Sequence, residues 1–155
     1  MKKTKPPKAK LKTDIATLAD LAKLRNGTVS EVTCHNKLQF IPAGERGKFM
    51  DELWRVLEPG GLVHITVPYY SSIKAISDFA SQWPPFSEMS FLYFDKAQRD
   101  AAGGIHPELK CDFEIRNWGY TVQQDVAGRN EETRAVWIKR NLNTAEELQV
   151  HLAKR

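Results

Sequence analysis

Long apolar runs are missing from this sequence. None approaches the length of about 18 residues needed to cross a bilayer as a helix, and the N-terminus has no apolar centre of the kind a secretory leader carries. A cytoplasmic chain with no membrane partner is therefore predicted. Cysteine is scarce: Cys34 and Cys111 are the only two, with no CxxC spacing and no histidine pair nearby. That excludes a disulfide framework and a structural zinc site, and no metal ligand set is predicted. Acidic residues are absent from the first 12 positions, where Lys2, Lys3, Lys5, Lys8, Lys10 and Lys12 fall. Without those six lysines, 17 basic residues face 19 acidic ones. The formal charge of +4 thus belongs to a tail. Residues 1–12, with Pro6-Pro7, read as a disordered basic arm, and residues 13–155 as one domain. The arm is either merely solvated or a weak phosphate-binding arm for nucleic acid. The remainder shows no basic stripe interleaved with aromatics. No G-x-G occurs before Gly44, and no internal repeat is visible.

What is present centres on residues 45–68. Phe49, Met50, Leu53, Trp54 and Leu57 recur at helical spacing and predict an amphipathic helix over 45–57. Pro59 cannot continue that helix. Gly60 and Gly61 can take the left-handed conformation that closes a helix end. Leu62 to Val67 is almost uncharged and rich in β-branched residues, which predicts a central parallel strand covered on both faces.

On either side the signals are coarser. Asp14 is placed to cap a short helix through Lys23. Asn26-Gly27 marks a turn before a strand at 28–34. Pro68 to Pro85 is a long excursion. Residues 111–122 alternate as a half-exposed strand, and 133–139 (TRAVWIK) read as its antiparallel partner across the turn at Gly128-Arg129-Asn130. Thr144 to Glu147 has the form of a capping box opening a last helix. The fold class predicted is α/β: a partial Rossmann-like sheet with parallel strands 28–34 and 62–67 and an antiparallel pair near 111–122 and 133–139, flanked by helices.

The wording ELWRVLEPGG followed by an apolar strand ending in Pro68 resembles the class I S-adenosylmethionine-dependent methyltransferases. Residues 27–34 (GTVSEVTC) are similar to that family's fourth strand with its lead. CHNKLQFIP at 34–42 stands where many members carry a segment ending LEHIP, with Gln39 and Phe40 in place of Glu and His. Residues 77–81 and 90–94 are similar to a subgroup reading sDPtH and SFxyF, with Phe79 and Ser81 replacing its Pro and His. The resemblance covers about residues 14–140. After the fourth strand the exocyclic-amine methylases carry [DNS]PP[YFW]; CHNK here speaks against methylation of DNA bases.

The resemblance implies S-adenosylmethionine as cofactor and methyl transfer to an unidentified acceptor. It implies Asp14, or equally Asp20, as the adenine-side acid, against the simpler reading of Asp14 as a helix cap. It implies cofactor-binding roles for His35, Asn36 and Gln39 at the carboxyl end of strand 28–34, the alternative for the first two being ordinary loop hydrogen bonding. Tyr69 and Tyr70 are the candidates for stacking on an acceptor, or else they cover the sheet. In the family, a glycine-rich loop follows the first strand and a ribose-binding acid ends the second. Neither motif is found here, so weak or absent cofactor binding is expected of these residues alone. Strand 28–34 would be left with an open edge, which predicts a homo-oligomer or a complementing chain. The rival reading is a non-catalytic binding module.

Overall fold

The computed structural model describes residues 11–155. Of the arm predicted at 1–12, residues 1–10 lie outside the described residues, and its last two positions, Leu11 and Lys12, belong instead to the first strand. Five strands form one sheet in the order β1-β2-β3-β5-β4: β1 (Leu11–Asp14), β2 (Val29–His35), β3 (Leu57–Pro68), β4 (Phe113–Val122) and β5 (Ala145–Lys154). β1, β2 and β3 run parallel, whereas β5 is antiparallel to both β3 and β4. The helices are α1 (Leu18–Ala22), α2 (Ala43–Val56), α3 (Ile73–Ser77), α4 (Glu88–Leu92), α5 (Lys96–Ala101), α6 (Gln124–Ala127) and α7 (Glu131–Arg140).

α2 forms as its spacing predicts. Phe49, Met50, Leu53 and Val56 are fully buried against Val32 and Cys34 of β2 and Val63, Ile65 and Val67 of β3 in a single core. The helix stops differently from the expectation. Leu57 is already extended (φ −69°, ψ 141°), while its N–H still donates to the Leu53 carbonyl. The strand begins there and loops out, since Val29 pairs with Leu57 but Glu31 pairs with Leu62. Gly60 takes φ +75° within that loop rather than at the helix end. Gly61 is buried, and a Cβ there would meet the Glu58 carbonyl at 2.9 Å.

Three expectations fail, two of them because a local pattern was outvoted by pairing partners distant in sequence. Asp14 is not a helix cap; it ends β1, and α1 is capped by Thr17 in a capping box with Asp20. Residues 133–139 are helical within α7, capped by Asn130, with Glu131 and Glu132 in its first turn and Lys139 and Arg140 in its last, the polarity a helix dipole favours. The antiparallel partner of β4 is β5, not 133–139. The capping-box sequence at 144–147 opens a strand, because Leu148, Val150 and Leu152 alternate into the core beside β3. Every residue of β5 from Glu147 to Ala153 has a partner on β3, and the two-residue period suits that pairing as no helix would.

The edge of β2 is not open. β1 pairs with it from Leu11↔Val29 to Asp14↔Thr33, and Lys12 Nζ meets Glu31 Oε2 at 2.5 Å. A short strand bearing lysine is a recognised way to blunt a sheet edge. Nor is β3 covered on both faces. Val63, Ile65 and Val67 are buried, but Leu62 is exposed and His64 and Thr66 are half-buried. Register places Glu31, Thr33 and His35 of β2 beside these, with Gln149 and His151 of β5 on the other side. These are polar, partly to fully exposed residues, so the sheet has one apolar, helix-covered face and one hydrophilic face.

Candidate functional site

Ligands of open α/β sheets sit beyond the carboxyl ends of the parallel strands, where strand order reverses. Here those ends are Asp14, His35 and Pro68. Asn36 follows β2 in the left-handed region (φ 49°), a conformation its short polar side chain tolerates. Its N–H donates to the Thr66 carbonyl at 2.8 Å, and its Nδ2 donates to Glu147 Oε1 at 2.9 Å. The end of β2 is thereby tied to β3 and to the start of β5. Gln39 is buried in the 3-10 turn Leu38–Phe40, and its backbone carbonyl accepts from Gln82 N at 2.8 Å.

Four buried side-chain oxygens lack a hydrogen-bond partner among the described residues: Asn36 Oδ1, Gln39 Oε1, Ser71 Oγ and Ser81 Oγ. All four lie in the segments that follow β2 and β3. Unsatisfied buried acceptors are costly, and these four are concentrated after the carboxyl ends of β2 and β3. His35 is exposed. Asp14 is exposed at the end of the neighbouring strand. The structure therefore brings His35, Asn36 and Gln39 to one strand end, with Asp14 on the adjacent one.

The two tyrosines separate. Tyr69 is 4% exposed, and its hydroxyl donates to Glu88 Oε1 at 3.1 Å. Tyr120 of β4 donates to the same Glu88 oxygen. Burial, together with the Glu88 carboxylate, pushes both phenols well above their ordinary pKa, so both remain donors. Tyr69 is thus a buried link between β3, α4 and β4, whereas Tyr70 is 44% exposed, with its ring 4.7 Å from that of Tyr69. Sequence reasoning missed Glu88, which only the fold brings to Tyr69 and Tyr120. It also missed Arg46. Arg46 is buried, donating to the carbonyls of Ile41, Gln82 and Pro84 and lying 4.2 Å over the Phe86 ring. Its place among otherwise apolar residues on the inner face of α2 was the available signal.

The turn after β1 lies at the carboxyl end of the strand beside β2. It reads Asp14-Ile15-Ala16-Thr17 with no glycine. The N–H groups of Ala16 and Thr17 both donate to Asp20 Oδ2, at 3.3 and 3.0 Å. The Thr17 hydroxyl also donates to that oxygen at 2.8 Å. These bonds, the Thr17 hydroxyl first, hold the Asp20 carboxyl below its usual range. The amides that a bound ligand would use here are taken by the chain's own carboxylate. Among the described residues no group of three or more His, Cys, Asp or Glu is placed to hold a metal, and no helix is long and apolar enough to cross a membrane.

No protein-family model matches the sequence, and no curated protein matches it significantly. Solved structures do. An S-adenosylmethionine-dependent methyltransferase from Archaeoglobus fulgidus superimposes with a TM-score of 0.57 at 11% identity, over 88% of this chain and 64% of that one. A Haloferax volcanii methyltransferase in complex with a methyltransferase activator gives 0.53 at 15% identity, over 84% and 56%. A candidate methyltransferase from Bacillus halodurans C-125 gives 0.52 at 13% identity, over 94% and 83%. The chain spans less than two thirds of the length of the first two. Its sheet order, its mixed strand directions and these superpositions agree: the chain has the fold of the class I S-adenosylmethionine-dependent methyltransferases.

Proposed function

We propose that these residues form the acceptor-side part of an S-adenosylmethionine-dependent methyl-transfer site, with the opposite wall of the cofactor site supplied by a complementing chain. The observation that carries this reading is an asymmetry at the strand ends. After β2 and β3, the buried oxygens of Asn36, Gln39, Ser71 and Ser81 have no partner among the described residues. After β1, the turn has no glycine and its amides are bonded to Asp20.

Only one side of the cofactor is matched. The oxygens of Asn36 and Gln39, once uncovered from their buried positions, would suit the amino or hydroxyl donors of a nucleoside, and Asp14 supplies an exposed carboxylate at the end of the adjacent strand. Bound S-adenosylmethionine would supply an activated methyl group on sulfur, and these residues would only orient it and the acceptor. On the β1 side the residues do not fit: a cofactor there would have to displace Asp20 and approach a backbone with side chains where the family has glycine. A ligand held from one side buries little area against a large ordering cost. These residues alone are therefore expected to bind S-adenosylmethionine no tighter than about 1 mM, or about −4 kcal/mol. Isothermal titration with the cofactor and with S-adenosylhomocysteine tests this; micromolar binding would overturn it.

One observation favours a second reading, a free-standing binding module without turnover. The open sheet face is hydrophilic, with Glu31, Thr33, His64, Thr66, Gln149 and His151 partly to fully exposed. A face awaiting a cover of helices would be apolar. Sedimentation at micromolar concentration separates the two: the module reading expects a stable monomer, the complemented site a tendency to associate.

A further inference from the structure

The segment after β3 carries large apolar side chains into water. Phe79 is 101% exposed and Trp83 78%, and Ile73 and Ile76 of α3 are each more than half exposed. Two neighbours extend this surface. The Gln82 N–H donates to the Gln39 carbonyl at 2.8 Å, which brings the backbone at Phe40 beside that at Trp83. The Asn143 N–H donates to the Ser71 carbonyl at 2.8 Å, which brings Leu142 beside the start of α3. Phe40 and Leu142 are exposed as well.

The two aromatic residues are held in place. Arg46 reaches from α2 to the carbonyls on either side of Trp83, donating to Gln82 at 2.7 Å and to Pro84 at 2.6 Å. Both chain neighbours of the tryptophan are thereby fixed while its ring stays in solvent. Phe79 sits in a turn closed by two bonds to Asp78: the Ser81 N–H donates to its carbonyl at 3.0 Å, and the Ala80 N–H to its Oδ1 at 2.9 Å. Folding gains nothing from apolar area that remains in water. Ordered aromatic side chains do suit binding, because less freedom is lost on contact.

Size and charge point to a protein partner. At about 150–250 Å² for a large side chain, the six residues leave on the order of 800 Å² exposed. That exceeds the few hundred Å² usual for an apolar patch on a monomer, and it is about one partner's share of a standard-size interface. From Tyr70 to Trp83 the only charged residues are Lys74 and Asp78, and Lys74 is held by Glu146 at 2.7 Å. An anionic lipid surface or a nucleic acid would call for a surplus of cations. Instead one exposed cation, Lys37, stands at the Phe40 end and one exposed anion, Asp78, beside Phe79, neither ion-paired among the described residues. A patch with one charge of each sign can complement itself, as a two-fold contact requires.

We propose that this surface is a dimer interface occupied by a second copy of the chain, with Phe79 and Trp83 as its anchors and Lys37 facing Asp78 of the partner subunit. The inference is independent of methyl transfer.

Sedimentation equilibrium of the full chain tests it. The expected result is a dimer with a dissociation constant of about 10 µM. Phe79→Ser and Trp83→Ser should each weaken it by about tenfold or more, with the thermal midpoint at low concentration unchanged because both side chains are exposed. The two variants are separate, so one that fails to fold leaves the other to decide. Lys37→Glu should weaken the dimer by about threefold, and adding Asp78→Lys should restore it. A monomer at about 100 µM would overturn the inference. So would a dimer that both serine variants leave intact, an outcome that assigns association to another face and leaves the complemented site standing. No recovery in the double charge variant would overturn the second copy as occupant.

Discussion

Asn36 and Glu147 are joined by a 2.9 Å hydrogen bond across 111 positions of sequence. The bond fixes the end of β2 to the start of β5 and holds the Asn36 side chain with its oxygen unpaired among the described residues. Because Asn36 is in the left-handed region at φ 49°, two substitutions there should diverge. Asn36→Gly loses the bond but keeps an easy backbone, whereas Asn36→Val loses both. Urea melts are expected to show the valine variant less stable than the glycine variant by about 1–2 kcal/mol. Matching midpoints would mean that the loop relaxes freely.

A second backbone position behaves alike for a different purpose. Gly60, at φ +75°, turns the loop between the end of α2 and the paired part of β3, with nothing within 4 Å of an added Cβ. Strain is then the whole effect, with no clash. Gly60→Val is expected to cost about 1–2 kcal/mol in urea melts. An unchanged midpoint would show that the loop can adopt another path.

The open sheet face should carry a pH dependence. His64 sits below its ordinary pKa, first because of burial, then because of His151, with Glu31 opposing the shift. Its ring is 4.6 Å from that of His151, and Nε2 is 3.5 Å from Glu31 Oε1, with Lys12 also facing it through Glu31. A histidine whose folded pKa is depressed takes up its proton more readily when unfolded, so its contribution is present above the unfolded value and is lost as pH falls towards the folded one. The urea midpoint should therefore fall between pH 7 and pH 5.5 (a window set around the reference value of about 6.5), and fall less in His64→Gln. A variant with the same pH slope as the parent would place the effect elsewhere.

Both thiols should be inert. Cys34 and Cys111 are buried, and burial first, with Asp14 and Asp51 respectively adding to it, pushes each up to about 12. Reactivity requires thiolate and access. Ellman's reagent is expected to label neither residue in native buffer and both in denaturing urea. Fast labelling of either without denaturant would show an opening of the core beside β2 or α2.

How much of this was legible beforehand differs from element to element. α2 was read within two residues at its start and one at its end, because its signal is contained in its own residues: an apolar stripe, a polar back and a proline beyond. β3 was read from Leu62 for the same reason. The final strand shows the limit. Thr144 to Glu147 satisfies a local helix rule, yet Leu148, Val150 and Leu152 alternate with a two-residue period, and the choice between them was made by an open ladder position between β3 and β4. The positions of His35, Asn36 and Gln39 followed from the end of β2. Glu88 did not, since its two tyrosine partners come from strands 19 and 32 residues away.

By itself the sequence determined α2, the parallel strands at 28–34 and 62–67, and a mixed α/β sheet, because helical periodicity and β-branching act over a few neighbouring residues. Only the tertiary structure decided which strand lies beside β2, that β5 rather than 133–139 completes the antiparallel pair, and that one sheet face stays in water. It alone also decided that Arg46 is buried and bonded to the carbonyls of Ile41, Gln82 and Pro84. Pairing, burial and charge compensation depend on groups that meet only after folding. A local pattern states which conformations a segment can take, and the partners available across the sheet select among them.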